Sequence, residues 1–172
     1  MTSAVAVAVM WAPASASNDI GTYVPDNTPL YRGDWLTSVV QNAVGWVITN
    51  QLNPTDLNAS YTPTGGTGDV WVYDANFYAS SLVYGGWKCL DPVGTYNLGS
   101  CTSGRVRIDT SNDVTPYSTT EARSLLCEEM GHSVGLGHRF LAPNDPDPGC
   151  MSQDWTETNY TSHDVNHLNT WY

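Results

Sequence analysis

Basic residues are scarce in this chain of 172 residues, which has six Lys and Arg against 17 Asp and Glu and a formal net charge of −11 at pH 7. A groove for nucleic acid, or a patch for an anionic membrane surface, requires clustered positive charge. With so few basic residues available, we expect neither nucleic acid nor a membrane among the partners of this protein.

Long apolar runs are also absent, and no segment approaches the roughly 20 apolar residues that a membrane-spanning helix requires. A short apolar stretch at residues 4–11 precedes Ala14-Ser15-Ala16, a small-residue pattern typical of signal-peptidase cleavage, although no Lys or Arg stands before it. We interpret residues 1–16 as a signal-peptide remnant, the alternative being a frayed apolar N-terminus. The protein is then secreted, with residues 17–172 forming one domain.

Closely spaced Cys-x-x-Cys pairs are missing, which argues against a zinc site built from thiolates. The four cysteines, Cys89, Cys101, Cys127 and Cys150, permit three disulfide pairings, and the sequence does not choose among them. Pairing the first two would close a short loop, and pairing the last two would tie a helix to a later loop. An exported protein favours disulfide formation.

Three helices are predicted from apolar periodicity and capping residues. The first has apolar residues at three- and four-residue steps over 35–48, with Asp34 as its cap. The second begins at the capping box over 118–121 and ends at the glycines of 135–137. A short last helix is expected over about 163–171, with Ser162 as its cap.

Two strands are predicted, over residues 69–73 and 105–109, because both segments are rich in β-branched and aromatic residues or alternate in polarity. Their charged residues are expected to face water. Residues 18–34 and 58–68 are rich in Pro, Asn, Thr, Ser or Gly, which indicates an irregular segment and a connecting loop.

The segment from Cys127 to His138 contains the most informative residues of the chain. Residues four apart on a helix share one face, so Glu128 and His132 can reach the same ion, with Glu129 beside them. A turn out of the helix at Gly135 would bring His138 back as a third ligand. The pattern therefore predicts a metal site with an adjacent base.

This segment, Glu-Glu-x-x-His-x-x-Gly-x-x-His, resembles the His-Glu-x-x-His-x-x-Gly-x-x-His pattern of the metzincins, and in particular a matrixin-like group of secreted bacterial peptidases. The resemblance implies a role for each matching residue: zinc ligands His132 and His138, general base Glu129, turn residue Gly135, and Met151 as the methionine beneath the metal. Glu128 departs from the pattern, because it stands where the first histidine ligand is expected.

The flanking residues extend the resemblance. Cys127 and Cys150 match the disulfide of that group, and the residues around His163-Asp164 match its last helix. The implied fold is a single α+β domain of metzincin-like (zincin) type. It has a twisted mixed sheet against two long helices, followed by the methionine turn and a C-terminal helix.

The resemblance implies a secreted zinc endopeptidase, acting on proteins or peptides as a monomer with one catalytic zinc ion. Two interpretations of Glu128 remain open. Its carboxylate can replace imidazole as the third ligand, since such a donor set is known in catalytic zinc sites. If it does not reach the metal, the alternative is an impaired metzincin-fold pseudoenzyme that binds a peptide or a metal.

Two further groups of residues are not expected to bind a metal. His163 and His167 are four apart on the last predicted helix, but no third ligand accompanies them at a persuasive spacing, so we expect surface or core roles. Residues 144–147 offer oxygens but lack the ligand series of a calcium loop. Calcium is therefore unsupported, and this segment is expected to be a solvated turn.

Overall fold

The computed structural model describes residues 22–75, 84–93, 99–109, 118–138, 149–152 and 156–172. The leader at 1–16 and the turn at 144–147, both singled out from the sequence, lie outside the described residues.

The central feature is a five-stranded mixed sheet. Its strands, in chain order with a separate small pair included, are β1 (Thr22–Tyr23), β2 (Leu30–Gly33), β3 (Ser60–Thr62), β4 (Val70–Ala75), β5 (Gly85–Cys89), β6 (Gly99–Ser100) and β7 (Gly104–Asp109). The sheet order is β3-β2-β4-β7-β5, in which every neighbouring pair is parallel except the antiparallel β5–β7 pair. Strands β1 and β6 pair separately.

Three helices accompany this sheet, of which α2 lies against it and α1 packs on α2. They are α1 (Ser38–Val47), which continues into a π-helical turn at Ile48–Leu52, then α2 (Thr119–Ser133) and α3 (Ser162–Trp171). A 3-10 turn at Cys150–Ser152 lies against α2. The helix α2 also contacts β5 and β7, so it lies over the antiparallel edge of the sheet.

A single hydrophobic core joins these layers. Strands β4 and β7 alternate buried and half-buried residues, which turns their apolar side chains to one face of the sheet. The fully buried core side chains from sheet, helices and turns include Tyr31, Val44, Leu52, Val70, Val106, Leu126, Met130, Leu136, Met151 and Leu168. Burial of one sheet face against α1 and α2 confirms the predicted α+β class.

Short strands appear where the sequence predicted irregular chain. β2 lies within the segment 18–34, and β3 within the segment 58–68. Both pair with neighbouring strands over only three residues each, through long-range contacts that local composition does not encode. The predicted strands at 69–73 and 105–109 correspond to β4 and β7.

Two predicted caps were wrong by one to three residues. Asp34 does not cap α1, because it bonds to Arg32 and the next residue, Trp35, has a left-handed φ of 64°. The helix begins after Thr37, whose N–H and hydroxyl both donate to Asp74. In α3 the cap is Thr161 rather than Ser162, which is the first helical residue.

The expectation that strand charges face water was wrong at Asp109. This residue ends β7 and is fully buried, whereas the guanidinium-bearing residues before it are half-buried. Asp109 directly follows the buried Ile108, so the outward alternation of the strand stops where the chain reaches the core.

The four cysteines form two disulfides, Cys89–Cys101 and Cys127–Cys150. The first joins the end of β5 to the residue after β6, and the second joins α2 to the 3-10 turn. In the described part of the chain, no helix has both the length and the apolar character needed to cross a bilayer.

Candidate metal centre

The helix α2 supplies most of the site. The predicted capping box is present at its start, where the Ser118 hydroxyl accepts the Glu121 N–H and the Glu121 carboxylate accepts the Ser118 N–H. The last three turns are buried on all sides, including the polar residues Glu128, Glu129 and His132. Burial of three ionisable side chains on one helix end is costly unless they are paired with each other or coordinate a metal ion.

Three predicted ligand residues converge at this end of α2. Oε1 of Glu128 lies 3.0 Å from Nε2 of His138 and 4.0 Å from Nε2 of His132. The two Nε2 atoms are 3.0 Å apart. Within the described part of the chain, this is the group of side chains close enough to hold one metal ion.

The ring of His132 is oriented by the backbone. Its Nδ1 lies 2.7 Å from the carbonyl oxygen of Leu136, and because a carbonyl only accepts, Nδ1 carries the proton. Nε2 is then the atom with the free lone pair, which faces Glu128 and His138. Burial lowers the pKa of His132, and the Leu136 carbonyl opposes this shift. The neutral imidazole is the form that ligates a metal.

A glycine turn brings His138 back to the helix end. Gly135 has a φ of 98°, in the region that side chains with a Cβ rarely adopt. A Cβ at this position would also lie 2.5 Å from the ring of Trp171. The chain therefore reverses after α2, and His138, unlike His132, reaches the group from an exposed position.

The three donors fit a zinc ion. Zinc bonds to imidazole nitrogen and carboxylate oxygen are about 2.0–2.2 Å long, so two donors on one ion lie within about 4.4 Å of each other. All three separations meet this limit. Two histidines and one carboxylate are also a donor set that catalytic zinc sites use.

Glu129 lies beside this group in a different environment. Burial raises its pKa to about 8, assisted by the neighbouring Glu128 and opposed by the backbone N–H of Trp87, which donates to the carboxylate. Among the residues that the structure describes, Oε2 of Glu129 has no hydrogen-bond partner. An unsatisfied buried carboxylate oxygen beside a metal-binding group is suited to accept a proton.

The 3-10 turn that contains Met151 packs against α2. Sδ of Met151 lies 2.6 Å from where a Cβ would stand at Gly131, the residue before His132. The hydroxyl of the buried Tyr160 donates to the carbonyl of Cys127 at 3.0 Å. With the disulfide Cys127–Cys150, these contacts hold the 3-10 turn below the helix end.

Two solved structures of myroilysin are similar to this chain. They are 20% and 19% identical to it, with TM-scores of 0.43 and 0.42. The matched regions cover 71% and 78% of this chain, and 47% and 52% of the myroilysin chains, so the chain spans about half their length. No protein-family model and no curated protein sequence matches it. A likeness at this level assigns no function.

Several residues at the centre were not predicted from the sequence. Gly85 and Trp87 reach Glu129 from β5, which is the terminal strand of the sheet in the described residues. The carbonyl of Leu136 orients His132, and Tyr160 braces the base of α2. All but Leu136 are remote in sequence from the motif, so no local pattern identifies them.

The second histidine pair does not join this centre. His167 on α3 packs on the ring of Trp171 with centroids 4.0 Å apart. The ring of Trp171 in turn lies 5.2 Å from that of Tyr23. His167 therefore belongs to an aromatic cluster.

Proposed function

We propose that this protein is a secreted zinc endopeptidase of the matrixin-like type, whose single domain spans residues 17–172 and acts as a monomer. One observation carries the proposal: donor atoms of Glu128, His132 and His138 converge within 4.0 Å, and Glu129 is adjacent on the same helix, with an Oε2 that has no hydrogen-bond partner among the described residues. Two disulfides fit an oxidising, extracellular compartment.

In this proposal Glu128, His132 and His138 hold the zinc ion, which when bound would polarise the scissile carbonyl and acidify water. The role of Glu129 is to take a proton from the attacking water and to pass it to the leaving amine. Its Oε2 is free for this task, while the N–H of Trp87 holds the carboxylate in place. Burial keeps bulk water away from the base.

The position of the edge strand β5 favours a polypeptide as the substrate. It ends the described sheet, and a Cβ added to Gly85 at its start would lie 2.6 Å from Oε1 of Glu129, so the strand passes close to this carboxylate. An extended peptide can add to such an edge through main-chain hydrogen bonds, which requires no particular side chains. A peptide bond laid along β5 would pass beside Glu129.

The test combines zinc analysis of the purified protein with cleavage of an unfolded protein, with and without a chelator. We expect one zinc ion per chain and chelator-sensitive cleavage. Glu129→Gln should retain zinc and lose activity by about 100-fold or more, because general-base removal typically has this cost. Glu128→Gln should weaken zinc binding by more than about tenfold, since even outer-shell changes cost this much.

Glu157→Gln is the matched control, because Glu157 lies outside the metal-binding group and its replacement removes the same charge. It should keep both zinc and activity. Full activity in Glu129→Gln would refute the assigned base. Absence of both bound zinc and cleavage would instead favour the metzincin-fold binding protein.

A further inference from the structure

The outward face of the sheet carries a row of side chains at one register. Arg32 on β2 pairs with Trp71 on β4, Trp71 with Arg105 on β7, and Arg105 with Lys88 on β5. The residues before and after Trp71 and Arg105 are buried, so this row points away from the core. Two residues further along β4 and β7, Tyr73 pairs with Arg107.

Positive charge is concentrated on this face in an otherwise acidic protein. Four of the six Lys and Arg residues of the chain lie here: Arg32, Lys88, Arg105 and Arg107. These four residues, with Trp71 and Tyr73, are called the basic sheet face. The chain as a whole has 17 acidic residues against these four and two other basic ones.

Two of these charges face each other across adjacent strands. Arg105 and Lys88 are register partners on adjacent strands, an arrangement that destabilises a sheet. Within the part of the chain that the structure describes, neither side chain makes a hydrogen bond or ion pair, and Nε of Arg105 is buried without a hydrogen-bond partner. Arg32, by contrast, is bound by Asp34. A bound anion would relieve the repulsion between Arg105 and Lys88.

Aromatic rings form a platform between the charges. The guanidinium of Arg32 lies 4.2 Å from the ring of Trp71, and the rings of Trp71 and Tyr73 stack at 6.0 Å with an interplanar angle of 14°. Just after β2, Trp35 is 96% exposed. Arginine with exposed aromatic rings is the composition typical of the energetic centre of protein interfaces.

We propose that the basic sheet face is a docking surface for an acidic stretch of polypeptide. The forked guanidinium of arginine matches a carboxylate in shape and charge. Strands lie about 4.8 Å apart, so the row from Arg32 to Lys88 spans about 14 Å, the length of four or five extended residues. The proposal rests on charge complementarity and is independent of the peptidase function.

An acidic peptide fits this face better than a nucleic acid does. Duplex DNA carries a charge about every 1.7 Å. It would extend beyond a patch of four basic residues and would be repelled by a protein whose net charge is −11. A short peptide can confine its carboxylates to the patch. The strand β5 presents Lys88 on this face, whereas Gly85, three residues earlier, faces Glu129 from the opposite face, so the docking surface and the proposed site lie on opposite faces of the sheet.

The test is a fluorescence-anisotropy titration of the full chain with a labelled octa-glutamate peptide at low ionic strength. We expect binding that weakens as salt is added. The double variant Arg105→Gln/Lys88→Gln should lower the affinity by about fivefold, as the loss of two partly exposed ion pairs implies. Arg123→Gln is the control, because Arg123 lies on α2 against Trp46 and carries the same charge.

Each other outcome overturns the proposal. No binding at low salt, or an equal loss of affinity in Arg123→Gln, would show that this face does not recognise acidic peptide. Tighter binding of a single-stranded oligonucleotide with eight phosphates would assign the face to a different polyanion. Melting temperatures of the variants show whether they fold, and mass spectrometry shows whether the peptide stays intact. Because binding is measured on intact peptide, the result does not depend on whether the protein is a peptidase.

Discussion

At the scale of single residues, the adjacent carboxylates Glu128 and Glu129 differ in what surrounds them. The oxygen of Glu128 faces two imidazole nitrogens, whereas Glu129 faces the backbone of β5. Helix geometry turns successive side chains by about 100°, so neighbours in sequence reach different partners. One residue can therefore bind a metal while the next acts as a base.

Replacement of Gly85 by Ala should disable the proposed base without touching the ligands. The new Cβ would lie 2.6 Å from Oε1 and 2.9 Å from Cγ of Glu129, so the carboxylate must move. A displacement of about 1 Å at a catalytic group can cost about 100-fold in rate. We expect kcat/KM to fall by about that factor with zinc content unchanged.

Gly45→Ala provides the matched control for this change. Gly45 lies in α1 with no atom within 4 Å of the added Cβ, so activity should be unaffected and the protein stabilised by about 0.5–1 kcal/mol. The interpretation fails if Gly85→Ala retains wild-type kcat/KM, or if it loses zinc along with activity. Elemental analysis and steady-state kinetics on both variants distinguish these results.

The candidate metal-binding group could be predicted because its spacing is local. Glu128 and His132 share a helix face, and Gly135 signals the turn that returns His138. The contacts of Glu129 with β5 depend on strand pairing across the whole sheet. No sequence pattern near residue 85 indicates this contact, so the position of β5 beside Glu129 could not be predicted from the sequence.

At the scale of elements, α2 depends on its N-terminal capping box. Ser118 and Glu121 satisfy two backbone N–H groups that a helix start would otherwise leave unpaired. The hydrogen bonds from the Ser118 hydroxyl and N–H lower the pKa of Glu121. A carboxylate with a lowered pKa stabilises the folded state above its unfolded pKa, and this contribution disappears as pH falls through the folded value.

Ser118→Ala should therefore destabilise the metal-free protein by about 1 kcal/mol at pH 7. The difference from wild type should begin to shrink below the ordinary glutamate pKa of about 4.3, and should shrink further as pH falls through the lowered pKa of Glu121 in the folded wild type. Urea unfolding at pH 7 and pH 3.5 measures both effects. Thr119→Ala, at the exposed next position, should cost much less, and an equal cost at both sites would contradict the capping role.

Helices were predicted more completely than strands for a physical reason. The capping box and the apolar period of α1 are encoded within a few residues, and both helices exist close to the expected positions. Strands β2, β3 and β5 gain their stability from neighbours far along the chain. Their sequences, such as Leu-Tyr-Arg-Gly in β2, resemble connecting loops when read alone.

At the scale of the whole molecule, the candidate centre lies between two parts of the chain that the disulfide Cys127–Cys150 connects. Cys127 precedes Glu128 on α2, and Cys150 precedes Met151 in the 3-10 turn. The other disulfide, Cys89–Cys101, ties the edge strand β5 to the region after β6. The two bonds therefore support different sides of the centre.

Removal of Cys127–Cys150 by paired alanine substitutions should lower the free energy of unfolding by about 3 kcal/mol, as the closure of a loop of this size implies. It should also weaken zinc binding, because Met151 would no longer be held against Gly131 below His132. The Cys89–Cys101 bond closes a shorter loop, so its removal by paired alanine substitutions should cause a slightly smaller loss of stability and leave zinc affinity at the wild-type value. Urea unfolding and zinc competition titrations measure both quantities. Equal loss of zinc affinity in the two proteins would mean that the disulfides act only through global stability, and that the 3-10 turn does not position the ligands.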